Sequence, residues 1–321
     1  MGERVSFLSR ICTENERPCS KAPSMSNLPL DVIHKIVEKV EPIERLSVRK
    51  VCRNFRAIVD NKDPGIKRVV LNIHHSQFQM WLLDAKSTVI HYDFSHSHCT
   101  VNYNDRNERF KGVNGLKMAE TDLSVVMKNS KLQLEVLEFQ GYDRIQKKET
   151  FMNWFKEMSD SKNLYKVKRI DFSINLPTFA ATIFPLLQPG FLEEICIYCS
   201  GNPDYVDQLF EMEQWKRAKS IFIDSYGEKH FPIENLFHLT HFFIDTAYLS
   251  VADAVKIRDI LLKSTVFESG IITSRNIFSV GVVRVFNPNF IARRPFRVDY
   301  DNGSHFSLLY DHISIKIEKK K

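Results

Sequence analysis

The sequence predicts an α/β protein in which a small all-helical N-terminal unit is followed by an irregular strand/helix solenoid that ends in an antiparallel β hairpin or meander. Three observations predict it. Between Leu28 and Pro64 apolar residues recur at helical spacings of three and four, and beyond Gly65 short β-branched and aromatic segments alternate with amphipathic helical stretches. The third is a returning offset of the form L-x-x-L-x-F. It is carried by Leu134, Leu137 and Phe139, by Val167, Ile170 and Phe172, by Leu192, Ile195 and Ile197, by Ala218, Ile221 and Ile223, and by Leu239, Phe242 and Ile244. The starts lie 33, 25, 26 and 21 residues apart, which brackets the leucine-rich-repeat period of roughly 20 to 29 and overshoots it once. Helical stripes at Phe151–Met158, Thr178–Leu187, Tyr205–Lys216 and Val251–Leu262 separate the strands. Strand then helix, repeated, favours stacked parallel strands with helices behind them, and a single doubly wound sheet is the alternative.

Composition bounds the rest. The 321 residues are 43% apolar and 26% charged, enough for one large or two modest cores. The apolar runs are short, such as Val280 to Val283 around Gly281, and none approaches the roughly 20 residues of a membrane helix. Six scattered cysteines make no disulfide framework, and the charged stretch Met1–Lys21 lacks the apolar core of a signal peptide, so a cytoplasmic or nuclear location and no membrane association are expected. A formal charge of +6 is a mild bias, and nucleic acid is not the expected partner.

Residues 1–26 are charged, proline-bearing and poor in branched apolar side chains, and read as a flexible leader. Met1-Gly2-Glu3-Arg4-Val5-Ser6 satisfies a loose acylation pattern, with Cys12 and Cys19 as further acyl sites, but the charges at Glu3 and Arg4 speak against it. Pro29 then opens a helix with Val32, Ile33, Ile36, Val37 and Val40, and Pro42 starts a second with Val48, Val51, Cys52, Phe55, Ile58 and Val59. A two-helix unit of this size buries too little surface to stand comfortably alone, so a partner surface is expected. Arg45, Arg49, Arg53 and Arg56 line one stripe of the second helix if it runs unbroken, which would suit a DNA-reading helix or an acidic protein surface.

The order and spacing of Leu28-Pro29, Ile36, Val40, Pro42, Leu46, Val51-Cys52-Arg53 and Phe55 resemble the F-box. In that family these positions dock on the adaptor Skp1 of a cullin-based ubiquitin ligase. Phe55 stands where Trp is commoner and Val40 where Leu is. The resemblance therefore implies Skp1 contacts at Leu28, Pro29, Ile33, Ile36, Val37, Val40, Pro42, Leu46, Val51, Cys52 and Phe55. Downstream, Gly190-Phe191-Leu192-Glu193-Glu194-Ile195, Glu213-Gln214-Trp215-Lys216-Arg217-Ala218-Lys219, Phe231-Pro232-Ile233-Glu234, Phe237-His238-Leu239 and Ile257-Arg258-Asp259 resemble the FTH domain of nematode F-box proteins. Together the two resemblances cover about half the chain. They imply a leader over 1–26, an F-box over 27–64, connecting strands and a helix over 65–118, an FTH-like repeat domain over 119–275 and a C-terminal β cap over 276–321. They imply a non-catalytic receptor that reaches a cullin through a Skp1-like adaptor and recruits an unidentified protein substrate.

The chemistry-bearing motifs are few. There is no G-x-S-x-G, G-x-x-x-x-G-K-[ST], G-x-G-x-x-G or H-E-x-x-H, and no cofactor, metal or catalytic residue is expected. Cys196-Ile197-Tyr198-Cys199 has redox spacing, yet an odd separation on a strand points the sulfurs to opposite faces, and both read as small buried hydrophobes. His91, His96, His98 and Cys99 match no common zinc spacing, and the histidines read as exposed loop residues. Trp215 and Lys219 flank a helix-to-strand junction, with the indole packed under the helix end. From Ser269 to Val298 five arginines, Arg275, Arg284, Arg293, Arg294 and Arg297, stand without an acid and interleave with Phe278, Phe286, Phe290 and Phe296. They are candidates for contact with a substrate, an acidic ligand or a phosphate backbone, against a solvated strand face whose phenylalanines turn inward. Asp301-Asn302-Gly303-Ser304 between Val298-Asp299-Tyr300 and Phe306–Leu309 is a hairpin signal, and Ile313, Ile315 and Ile317 continue the alternation.

Overall fold

The computed structural model describes residues 25, 28–74, 77–86, 88–95, 98–103, 106–111, 115–141, 153, 164–174, 177–198, 204–224, 226, 230–291, 294–300 and 306–320. The expected leader, most of the Phe151–Met158 helix and the Asp301–Ser304 turn lie outside these residues. The chain divides into two compact units, Met1–Lys168 and Arg169–Lys321.

The first unit begins with α1 (Leu30–Lys39), α2 (Pro42–Val48) and α3 (Arg53–Asp60). The second helix of the sequence reading is thus two helices. Cys52 is fully extended at φ −159° and ψ 175° and serves as the N-cap of α3. The break sends two apolar faces to different neighbours: Phe55, Ile58 and Val59 of α3 join Ile33 and Val37 of α1, while α2 buries Ile43 and Leu46 and touches the second strand of the sheet below. The arginine stripe is broken with it, because Arg45 lies on α2 and Arg53 and Arg56 on α3.

A sheet follows. Strands β1 (Ile66–His74), β2 (Gln77–Asp84), β3 (Val89–Ser95), β4 (His98–Tyr103) and β5 (Arg106–Lys111) pair antiparallel in succession, and β6 (Gln133–Gly141) runs parallel to β1 on its other side. Helix α4 (Gly115–Met127) connects β5 to β6 and buries Met118, Ala119, Asp122, Leu123 and Val126. The sheet corrects the reading of the histidines as loop residues: His91 sits in β3 and His98 opens β4, where Cys99 is buried.

In the second unit β7 (Lys166–Ile174), β8 (Glu194–Tyr198), β9 (Ser220–Asp224), β10 (His241–Thr246) and β11 (Ser269–Ser274) are parallel neighbours in chain order. Between them lie α5 (Pro177–Ile183), α6 (Asp204–Phe210) with α7 (Glu213–Lys216), and α8 (Val251–Asp259). Ser250 and Asp253 cap α8 reciprocally, each side chain accepting the other residue's backbone N–H, which satisfies two otherwise orphaned donors. The chain then forms α9 (Val280–Phe286), β12 (Phe296–Tyr300), β13 (Phe306–Asp311) and β14 (Ser314–Lys319). The last three strands form an antiparallel meander whose β14 pairs with β11. Val280–Phe286 is therefore a helix, which corrects the reading of the arginine run as one strand face.

The repeated offset becomes a ladder. Ile170, Ile195, Ile221 and Phe242 stand opposite one another, as do Phe172, Ile197, Ile223, Ile244 and Ile272, and all are buried. The first row closes on Gly270 rather than on another branched residue. A Cβ at Gly270 would lie 2.4 Å from the Phe242 ring, so the ring takes the volume that a side chain on β11 would need.

Replacing Gly270 with Ala should therefore cost about 1–3 kcal/mol through overpacking. Urea unfolding checks it, and in a Phe242→Leu background, where the opposing ring is gone, the same substitution should add little.

Candidate functional site

The three N-terminal helices close on a five-residue centre of Ile33, Val37, Phe55, Ile58 and Val59, with Leu28, Ile36, Val48 and Cys52 packed partly buried against it. Helix α1 carries two apolar stripes. Ile33 and Val37 point inward at 0% exposure, whereas Val32 and Ile36, four residues apart, follow a second line of the helix, and Val40 is its extended C-cap. Leu30 is 56% exposed, Val32 and Val51 are 40% exposed, Met25 is half exposed, and Pro29 is open to solvent. Exposed apolar side chains thus remain on this unit outside its five-residue centre.

This places the sequence-derived contact residues in two groups. Ile33, Val37, Leu46 and Phe55 are buried and shape the unit from within. Leu28, Pro29, Ile36, Val40, Pro42, Val51 and Cys52 retain exposed or partly exposed surface. Leu30 and Val32 fall outside the sequence-derived contact set although both are exposed: Val32 shares a line of α1 with Ile36, Leu30 shares one with Ile33 and Val37, and their exposure is legible only once the core is assigned.

The site is held rigidly on its unit. Arg45 Nε donates to the carbonyls of Val37 at 3.2 Å and Val40 at 3.0 Å, capping the end of α1, and Arg49 makes a two-bond pair with Asp60. Asn129 Nδ2 donates to the carbonyls of Asp60 at 3.1 Å and Lys62 at 2.9 Å, so the residues after α4 satisfy the end of α3. Lys86 on the β2–β3 turn reaches Glu41 at 2.8 Å, and Tyr103 donates to Glu44 at 3.3 Å. Asp122 accepts from the buried Tyr92 hydroxyl at 2.9 Å and lies 3.8 Å from Lys50 Nζ. Gly65, at φ +74°, lets the backbone pass under Pro42, which an added Cβ would meet at 2.6 Å. Two of the four arginines are thereby spent on internal contacts, which removes the basis for a DNA-reading stripe.

The other candidate groups are structural in character. His91 stacks on Trp81 with ring centroids 4.7 Å apart, and burial holds its pKa below the ordinary value. Burial pushes the Cys99 and Cys196 thiols up to about 12, so neither presents a thiolate near neutrality. Cys199 lies outside the described residues, and among those described no cluster of three His, Cys, Asp or Glu could hold a metal ion. Trp215 is buried under the end of α7, packs edge-on to Phe210 at 4.7 Å and donates to the Asn235 carbonyl at 3.3 Å, while Lys219 pairs with Glu193 at 2.6 Å. Within the arginine run, Arg284 donates to the Phe290 carbonyl at 3.4 Å and Arg297 pairs with Asp299 at 3.3 Å. Phe278, Phe286 and Phe290 are buried, Arg275 and Arg294 are exposed, and Arg293 lies outside the described residues.

Comparison with known proteins decides the family question. An F-box domain model matches residues 25–67 and an FTH domain model matches residues 149–289. The chain carries an F-box followed by an FTH domain. A Caenorhabditis elegans protein named F-box A protein 224 is 29% identical over 281 residues, covering 84% of this chain and 71% of its own. The exposed apolar side chains therefore belong to the F-box. No helix among the described residues is long and apolar enough to cross a membrane.

Two partly desolvated imidazoles generate a pH test. Burial lowers the folded-state pKa of both His91 and His238, the latter bonded to the Trp215 carbonyl at 3.0 Å. The unfolded chain then binds more protons than the folded one between these lowered values and the unperturbed value of about 6.5, so stability is lost as pH falls through that window. The thermal midpoint should drop on acidification from neutrality, and a His91→Gln, His238→Gln double variant should flatten that slope.

Proposed function

We propose that this F-box protein is the substrate-recruiting subunit of an SCF-type ubiquitin ligase, its F-box docking on a Skp1-type adaptor and through it a cullin, and its FTH body recruiting a protein substrate. The observation that carries the reading is that Leu30, Val32 and Val51 stay exposed outside the buried centre of the F-box. Single apolar residues on a surface are ordinary, but three on one small unit with its own closed centre mark a partner surface. Docking buries these side chains, and Leu28, Ile36 and Cys52 flank them from their partly buried positions.

The body supports a receptor rather than an enzyme reading. The Cys99 thiol of the first unit and the Cys196 thiol of the body are held protonated, and the Ser250–Asp253 pair is spent on capping α8. The five parallel strands in chain order, with helices between them, support an irregular leucine-rich-repeat-like arrangement in which one sheet face stays open to a partner. Transfer chemistry would belong to the other ligase subunits.

A pull-down with purified Skp1-type adaptor tests the docking reading. Replacing both Leu30 and Val51 with Asp should weaken capture by about thirtyfold or more, the effect of losing interface anchors worth about 2 kcal/mol. The thermal midpoint should hold, because both side chains are exposed. Undiminished capture by the double variant would overturn the reading.

A further inference from the structure

The sheet of the second unit ends on β12, which among the described residues pairs with one strand, β13. In an antiparallel pair the backbone groups of alternate residues turn away from the neighbour, so β12 carries a row of N–H and C=O groups along its outer side. Packing is unfinished there as well. Phe296, Val298 and Tyr300 stand opposite Tyr310, Leu308 and Phe306, which are exposed by 2% or less, yet all three keep part of their own surface in solvent. They are held in place: Tyr300 donates to the Phe286 carbonyl at 2.9 Å, and the Phe296 ring lies 5.1 Å from that of Tyr310. The opposite face of the strand carries Arg297 and Asp299, whose side chains are 64% and 46% exposed.

Two copies of one strand related by a two-fold axis must set one residue opposite itself, because the axis exchanges the chains. The interior residues of β12 are the centres that pair most of the strand. Centring on Arg297 sets that guanidinium against its own copy, and centring on Asp299 does the same to the carboxylate, arrangements that like-charge repulsion disfavours. Centring on Val298 sets Arg297 against Asp299 and Phe296 against Tyr300 on both sides of the axis. The first is an opposite-charge pair on the open face and the second an aromatic pair on the core face, both stabilising between directly opposed residues. The strand is thus complementary to itself in one symmetric register.

We propose that a second copy of this chain pairs with the outer side of β12, antiparallel and centred on Val298, joining two sheets into one. A short strand bearing charges and preceded by a proline, here Pro295, is also how sheets keep their edges from pairing. That device works where the charge meets no complement. β12 carries one charge of each sign two residues apart, the spacing that a two-fold copy satisfies. Pairing also covers the partly exposed Phe296, Val298 and Tyr300 with the same residues of the copy, which continues the buried face across the axis. A foreign strand would satisfy the backbone equally well, but it would not call for charges that complement themselves. The inference goes beyond the receptor reading and does not need adaptor docking, whose residues lie in the other unit.

Sedimentation equilibrium of the full chain without adaptor measures the association, which should rise with concentration to a dimer. Arg297→Asp and Asp299→Arg each oppose like charges twice per dimer, and each should raise the dissociation constant about tenfold, as two cross-strand pairs turned from attraction to repulsion would. An equimolar mixture of the two variants should return to within about threefold of the unaltered chain, because an acidic strand then faces a basic one. Lys316→Ala, on the same open face but two strands inward, should leave association unchanged. Circular dichroism verifies folding of each variant. A measurement that needs no variant is hydrogen exchange of the unaltered chain, in which the β12 amides should slow as concentration rises. A monomer at every concentration, single variants that associate as before, a mixture no tighter than its components, or β12 amides protected only by an added extended peptide of foreign sequence would overturn the inference.

Discussion

Ile170, Ile195, Ile221 and Phe242 stand shoulder to shoulder across four parallel strands and bury nearly all of their surface, and that row constrains everything else in the second unit. On a strand successive side chains alternate faces, so committing these four and the row two residues on commits the residues between them to the opposite side. Phe222 and Phe243 are therefore outward by necessity, not by local preference. A slip of one residue would exchange the rows and expose the isoleucines, which is why the register is strongly specified. The close of the row at Gly270 shows how tight the constraint is: the Phe242 ring fills its own place and that of its neighbour.

The first unit solves a different problem. Five buried residues do not stabilise three short helices by themselves, given that small units bury only a modest fraction of their surface. The helices gain what they lack from the sheet that follows them, through carbonyls capped by Asn129, through Glu41 and Glu44 held by Lys86 and Tyr103, and through the close passage of Gly65 under Pro42. Surface ion pairs of this kind are individually weak. Their effect is to fix the angle at which the apolar edge is presented, while Asp122, buried between Tyr92 and Lys50, anchors the same alignment from inside. An edge held in one orientation loses less freedom on docking than a mobile one would.

Much of this was legible in the sequence, and the reasons are specific. The L-x-x-L-x-F offset survived because each position in it is buried, so the pattern records burial directly. The F-box and the FTH stretch were legible from residue order. What sequence reading missed was set by long-range contact. The break at Lys50–Cys52 divides a continuous helical rhythm because Leu46 and Phe55 answer to different neighbours, and periodicity alone counts both as one stripe. His91 and His98 read as loop residues because polar and aromatic neighbours mask the alternation of β3 and β4. At the docking site, periodicity found the apolar residues of α1 but could not rank inward against outward, since Ile33 and Val32 are equally apolar and only the position of Phe55 decides between them.

Charge and packing meet in the same alternation. Along β9 and β10 the sequence reads Ile221-Phe222-Ile223-Asp224 and Phe242-Phe243-Ile244-Asp245, so each strand leaves one ring and one carboxylate on the open face for every two residues it sends into the core. The Phe222 and Phe243 rings stack face to face with centroids 4.5 Å apart, so each covers a face of the other and lowers the cost of standing outward. The repeat that builds the core thus also spaces the ring and the carboxylate of the opposite face, and changing the strand register would disrupt both at once.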